Sequence, residues 1–542
     1  MAATLAFTLL ACACAWMIPG SARAASLSRA LEARLAASST GQVPVVITLK
    51  AQTDEARYAG RPSALIRALR ATARRTQPGV TADLDGPSRR FWLVNAVATD
   101  ASAAEVAAIS DDPSVASIDL DPTVTVTGAS AAGAAEGSWG VDAIHAPAAW
   151  SRYGITGAGV RVGSIDTGVD ASNPELAGAI AGLHDFVGGS PTPYDDNGHG
   201  THTVGTMVAR NVTGGHIGVA PGAQAIVAKA IRADGTALGS DLLAAAQWMT
   251  DPDGDPATAD YPSVINNSWT SSGATNEWFR PMVQTWAAMG IVPVFGAGNT
   301  AGTIGNPASY PETIAVGALE ETGVVTGASS SGLLNWVIDG VPTQVSKPDI
   351  TAPGVFITST LGASYGVYTG TSMAAPHVAG TVALIKQARP DLDVAGIREI
   401  LRASAVDRGA PGFDQQYGAG ALDAQAAVAA TGAPLVAQAA AAATAARRAA
   451  RVRVLRVVRR GGSWIITGRV SAPARMRAAV RRPGATANAI GRRTTAVSVH
   501  RGRFVLRVPT RGLSKGRYVL VVTASNAAGD RLGRASRLLR LR

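Results

Sequence analysis

In the stretch YTGTSMAAPHVAG, Ser372 follows a Gly-Thr pair and opens an apolar run that reads as the start of a helix. A hydroxyl placed there can simply cap the helix, because it satisfies an unpaired N–H group of the first turn. It can also be a nucleophile, since those N–H groups and the positive end of the helix dipole suit the oxyanion that forms at an attacked carbonyl. The second reading needs a base. His199, in DDNGHGTHTVGTMVA, stands at the mouth of a helix between Gly198 and Gly200, which let the backbone pass close to other segments. Asp166 ends the buried strand of GVRVGSIDTGVD, so its carboxylate lies at the carboxyl edge of a sheet, where open α/β sheets hold their ligands. A serine hydroxyl attacks once an imidazole takes its proton, and the imidazole needs a carboxylate to fix its tautomer and stabilise the charged ring. Asn299, in IVPVFGAGNTAG, follows a further buried strand; alone it is turn chemistry, and beside the other three it is placed to donate its side-chain N–H to the oxyanion. Together the four residues point to acyl transfer.

The segments SIDTGVD, GHGTHTVGT, GAGN and GTSMAAPHVAG, in that order, resemble the signature segments of the subtilisin family of serine peptidases (subtilase, peptidase S8). VINNSW, with DPDGDPATADYP before it, is closer to the bacillopeptidase F branch. The resemblance covers residues 139–430. It implies an α/β fold with a mostly parallel sheet and helices on both faces, and a triad of Asp166, His199 and Ser372. It further implies an oxyanion hole made by Asn299 and the Ser372 backbone N–H, and endopeptidase activity on proteins or peptides, without a cofactor, in a monomer. Two departures limit it. Ser268-Trp269-Thr270-Ser271 puts a side chain where the family commonly has glycine beside the cleft, and the family's strong calcium site is not carried over, because its matching places are Glu175 and Val212.

The elements around this body divide the 542-residue chain. Residues 1–24 read as an export signal, with an apolar stretch from Leu5 to Ile18 and Ala22-Arg23-Ala24 as the cleavage site. Both cysteines, Cys12 and Cys14, lie inside it, so the exported form has no thiol and no disulfide. No later segment reaches 18 apolar residues, which predicts no transmembrane span. Residues 43–126 read as strand, helix, strand, helix, strand, a small α+β unit within residues 25–138. The family resemblance makes this unit an inhibitor-like propeptide, an intramolecular inhibitor cut away between Thr127 and Ser138, and the protein a secreted zymogen.

The formal net charge of +11 hides a division. From Arg447 onward there are 25 Lys and Arg against one acid, Asp530, a charge of +24 that leaves −13 for the rest. An Ala-rich linker, residues 431–451, leads to a basic module, residues 452–542, whose alternating segments predict a small all-β sandwich. Its charge suits an anionic cell-wall polymer, making the protein extracellular or wall-associated. The rival reading, a silent scaffold carrying a polyanion-binding tail, leaves the four convergent polar groups without a purpose. Asp251, Asp253 and Asp255 alternate around Gly254 like the first half of an EF-hand loop, but the closing Glu is absent and no metal site is assigned.

Overall fold

Strands buried on both faces read as continuous apolar runs; six such strands, with the partly exposed edge strand Ile180–Asp185, form one seven-stranded parallel sheet at the centre of the chain. Their order is Ile350–Pro353, Ile314–Leu319, Val292–Gly296, Val264–Asn267, Arg161–Asp166, Gln224–Lys229, Ile180–Asp185. In this computed structural model the described residues are 25–37, 41–126, 129–131, 137–271, 277–338, 340–436, 452–470, 474–481, 492–493, 497–499, 502–511, 513–525 and 531–541. The export signal with Cys12 and Cys14 lies outside them, as do residues 127–128 and 132–136 of the expected cleavage region and residues 437–451 of the linker. Among the described residues no helix is long and apolar enough to cross a membrane.

Alternation along each strand sends side chains to two cores. Val264 and Val294 point to the face covered by the helices His199–Val208 and Thr371–Ala388, whereas Ile265 and Phe295 point to the face covered by Gly239–Thr250 and Arg280–Met289. The fold is therefore the α/β sandwich that the motifs implied.

The N-terminal segment forms a five-stranded sheet in the order Ser26–Leu27, Val115–Leu120, Val43–Leu49, Ala96–Ala101, Ser88–Phe91. It departs from the reading of the sequence in two ways. A two-residue strand and the helix Arg29–Ala37 precede residue 43, tied in by the fully buried Leu31. FWLVNAVATD is also not one strand: residues 92–95 turn, with Asn95 at φ 42°, and the two strands pair antiparallel. The Asn95 side chain holds this turn by donating to the Ala51 carbonyl oxygen (2.6 Å) and accepting from Gln77 (3.1 Å). Leu65, Ile66, Leu69, Phe91 and Leu93 of this domain join Leu242, Leu243, Ala246 and Trp286 in one apolar cluster, so the domain is packed against the peptidase-like body.

The chain separates into two compact units at Ala433 and Pro434. Taken by itself, the C-terminal unit is all β: Val452–Arg460, Ser463–Val470 and Gly502–Pro509 make one antiparallel sheet, and Ala474–Arg481, Gly516–Ser525 and Arg531–Leu541 are the main strands of a second. Trp464, Ile466, Met476, Phe504, Leu506, Tyr518 and Leu520 share one core.

Candidate active site

Asp166 is the last residue of its strand and is fully buried. Its Oδ1 lies 2.7 Å from His199 Nδ1 and also accepts from Thr167 N (2.8 Å), while its Oδ2 accepts from Thr203 Oγ1 (3.1 Å). His199 is the first residue of its helix, after Gly198 at φ 94°. The approach depends on Gly200: a Cβ there would strike the Gly168 backbone and crowd Asp166.

With its Nδ1 held by Asp166, His199 presents Nε2, which is buried and has no hydrogen-bond partner among the described residues. That is the nitrogen a general base uses. Burial pushes the ring toward its neutral form, but the charge and hydrogen bond of Asp166, with Asp195 behind, outweigh it and raise its pKa above the ordinary 6.5. The two neighbouring histidines are different. Burial pushes His202 down to about 3 and His377 down to about 4, so both stay neutral where His199 titrates.

Ser372 is the second residue of the Thr371–Ala388 helix. Its hydroxyl donates to the Ser268 carbonyl oxygen (3.2 Å), so the third limb of the triad is not a hydrogen bond in this structure. Rotation of one side chain would turn the hydroxyl away from Ser268. Asn299 Oδ1 accepts from Thr371 N (2.9 Å) and Thr371 Oγ1 (3.1 Å), which fixes the amide plane at the start of the same helix. Asn299 and Ser372 line one small cleft with Ser268, Trp269, Thr270, Gly296, Gly298 and Thr371. A carbonyl oxygen seated in this cleft would lie by the N-terminus of the Ser372 helix, whose N–H groups suit a developing negative charge.

Several supporting residues were not singled out from the sequence. Asp195 accepts from Thr167 Oγ1, Asn197 N, Gly198 N, and Thr201 N and Oγ1, binding the Asp166 turn to the His199 turn. Burial pushes the Asp195 carboxyl up, yet these donors hold it below the usual carboxylate range. Lys229 is fully buried, and its Nζ donates to the Thr167 carbonyl oxygen (2.7 Å) and to Asp196 Oδ1 (2.6 Å). The only trace of Asp195 in the sequence is its acidic pair just before the His motif, where helix caps favour acids. Glu175 is also fully buried, and its carboxylate accepts from Val212 N, Thr213 N, Thr213 Oγ1 and Tyr365 Oη. Hydrogen-bond donors surround both of its oxygens, so Glu175 does not suit a calcium ligand in the family's strong site.

The N-terminal domain reaches this cleft. Thr123–Thr125 pairs antiparallel with Thr236–Leu238, Thr125 bridges to Thr270, and Val126 N donates to the Gly235 carbonyl oxygen (2.9 Å). On the other side Ala129–Ala131 pairs with the Ser364–Thr369 strand, Ala129 opposite Thr369. The two edges flank Ser372, one through Ser268 and Thr270 and the other three residues before the serine.

Two outcomes follow from the geometry. Because His199 must be neutral to accept a proton and its pKa is raised, kcat/KM on a soluble peptide falls on the acid side as a single-proton step with a midpoint above about 6.5, with a plateau into mildly alkaline pH. An optimum near pH about 4 with loss above about 6 would remove His199 as the base. Asn299→Ala is expected to lower kcat by about 100- to 1,000-fold, the range that loss of one such donor is known to cost in a subtilisin. A drop of less than about threefold would leave Asn299 as a turn residue only.

The chain is similar to known proteins over much of this body. The subtilase family model matches residues 157–420. Bacillopeptidase F of Bacillus subtilis (strain 168) is 40% identical over 294 residues, 49% of this chain but only 20% of that protein's length. Subtilisin E of Bacillus subtilis (strain 168) is 35% identical over 347 residues, 62% of this chain and 82% of subtilisin E, and an alkaline protease of Alkalihalobacillus alcalophilus is 34% identical over 339 residues, 62% and 80%. With a buried Asp166–His199 pair, a serine that opens another helix, and relatives of 34–35% identity matched over four fifths of their length, the chain belongs to the subtilase family of serine peptidases.

Proposed function

We propose that the protein is a secreted endopeptidase, made as a self-processing zymogen, that hydrolyses peptide bonds through an acyl-enzyme on Ser372. The observation that carries this reading is the buried Nε2 of His199, without a hydrogen-bond partner among the described residues, on a ring anchored by Asp166; Ser372 and Asn299 share a small cleft. Nε2 takes the Ser372 proton as Oγ attacks the substrate carbonyl, and Asp166 stabilises the imidazolium. The oxyanion is held by the Ser372 backbone N–H and Asn299, and the protonated His199 then gives its proton to the leaving amine. Water repeats the sequence on the acyl-enzyme, with His199 again the base.

The zymogen reading rests on the path of the chain. Residues up to Val126 pair with one edge of the cleft and residues from Ala129 pair with the other, which supports a first cut within the expected region, at its start between Val126 and Ala129. The freed domain then remains as an inhibitor, its last strand in the substrate's place. Ser372→Ala is therefore expected to stay uncut in a protease-free system, while the active chain yields a new N-terminus at Thr127, Gly128 or Ala129 on N-terminal sequencing. Processing of the Ser372→Ala chain at the same bond would remove self-cleavage.

For the C-terminal unit we propose attachment to an anionic wall polymer. Arg453, Arg469 and Arg503 are exposed and lie opposite one another on three adjacent strands. Like charges directly opposite are destabilising, a repulsion that a polyanion bound across the row would relieve. Retention on anionic wall material is expected to fall steeply between low salt and about 0.15 M, where exposed charges are screened beyond about 8 Å, and to fall further in Arg469→Glu. Truncation after Ala433 should release the enzyme with unchanged cleavage of a small peptide. Retention that ignores salt and Arg469 would sink the proposal.

A further inference from the structure

We infer that the acidic loop following the Gly239–Thr250 helix is a divalent-cation site that Arg70 of the N-terminal domain occupies in the uncut chain, so that cation binding and release of that domain compete. The coupling rests on the zymogen reading above; the site itself does not.

The loop members differ from those suggested by spacing in the sequence. Asp251, Asp253 and Asp260 each bring a carboxylate oxygen to within 4.8 Å of the others. Asp255 turns away: its Oδ1 accepts from Ala257 N, and its own N–H donates to Asp253 Oδ1. The loop shapes itself through further bonds from Asp253 N to Asp260 Oδ2 and from Thr258 Oγ1 to Asp253. The Asp251 side chain is 1% exposed, and its Oδ1 has no hydrogen-bond partner; neither has Asp260 Oδ1, which is also buried. An ionised carboxylate is rarely left so, because a buried charge without compensation is costly.

The compensation present is a cation from another domain. Arg70, on the Pro62–Ala82 helix, brings Nη2 to 2.6 Å from Asp251 Oδ2 and donates from Nη1 to the Gly254 carbonyl oxygen (2.8 Å). Its guanidinium also lies over the Trp92 ring, 4.9 Å from the centroid. Among the described residues Arg70 is the cation paired with a carboxylate of this group, and Arg161 of the peptidase body donates from Nη1 to the Asp260 backbone carbonyl oxygen, so three carboxylates still outnumber the adjacent positive charges, a balance that a divalent ion would improve. The group offered is all oxygen, three carboxylates and the backbone carbonyl now taken by Arg70. Such a set, irregular and open to water, suits calcium better than magnesium, which demands near-octahedral geometry, and it lacks the nitrogen and sulfur ligands that select softer metals. When the N-terminal domain leaves, Arg70 leaves with it, and the same oxygens become available. Ligands that exclude each other at one site weaken each other's binding by the same factor.

The site is tested in the full chain without any cleavage. Calcium alone is titrated calorimetrically into Ser372→Ala, into Ser372→Ala with Arg70→Ala, and into that double variant with Asp253→Asn. Asp253 is exposed, so its amide leaves the fold intact, and thermal melts of all three confirm folding. The double variant should gain one calcium site that the single variant lacks and the triple variant loses. No site in the double variant, or an equal site in the Ser372→Ala chain, overturns the inference. The coupling is read separately on the active enzyme, by following the cut N-terminal domain through gel filtration. Calcium should weaken its retention by about 5- to 150-fold, the usual span of linked binding, and should have no such effect in Asp253→Asn. A calcium-independent release overturns the coupling alone. A domain that is never cut overturns the zymogen reading, with the titrations still deciding the site.

Discussion

The 2.7 Å contact between Asp166 and His199 is the constraint to which the rest of the catalytic unit conforms. A carboxylate taken fully out of water is costly unless it is paired and its remaining lone pairs are filled. Here the imidazole, Thr167 N and Thr203 Oγ1 fill them. To bring these groups together, a strand must end and a helix must begin at the same point, their backbones nearly touching at Gly168 and Gly200. Asp195 and Lys229 then tie the two turns to one another and to the neighbouring strand. The pair is rigid on the Nδ1 side and left open on the Nε2 side, which is what a base needs.

The serine is held less firmly. Its backbone is fixed by the helix, by Asn299 through Thr371 and by Ser268 Oγ, which donates to the Ser372 carbonyl oxygen (2.8 Å). Its hydroxyl, by contrast, rests on the Ser268 carbonyl oxygen, a neutral acceptor. A neutral hydrogen bond contributes about 0.5–1.5 kcal/mol net, small beside the gain from oxyanion stabilisation. On the proposed mechanism the backbone donors are in place before the substrate arrives, while the proton path closes by a rotation.

Much of this was legible in the sequence because the key residues occupy element ends that local chemistry marks. Asp166 closes an apolar run, His199 sits between glycines, and Ser372 and Asn299 follow small-residue turns. What was not legible depends on partners distant in the chain. The turn at residues 92–95 looks like strand because its apolar residues are wanted by the cluster around Trp286, and only Asn95, bonded to Ala51 and Gln77, betrays the bend. The strand Ser26–Leu27 is too short to carry a period. Spacing of two placed Asp255 with Asp251 and Asp253, but the loop folds back so that Asp260 takes its place, a closure fixed by the bond from Asp253 N to Asp260.

Two buried acids show how compensation separates permanent from exchangeable structure. Glu175 is neutralised in effect by N–H and O–H donors from Val212, Thr213 and Tyr365, all in the same body as itself. Those donors cannot depart without unfolding the loop that bears them, so the carboxylate is a fixed brace and needs no ion. Asp251 lies in the same body but draws its counter-charge from Arg70, in a domain whose own sheet and helices form a separate layer against the Gly239–Thr250 and Arg280–Met289 helices. Arg89 repeats the pattern, pairing at 2.6 Å with Asp241, but Asp241 keeps Arg232 of its own body at 2.9 Å and so is still paired when Arg89 is gone. Of the acids in the body that face the N-terminal domain through an arginine, Asp251 is thus the one whose compensation, among the described residues, comes wholly from outside. If that domain is released as proposed, the charge it would leave behind is concentrated at one loop, where a solvent cation would have most to gain by taking its place.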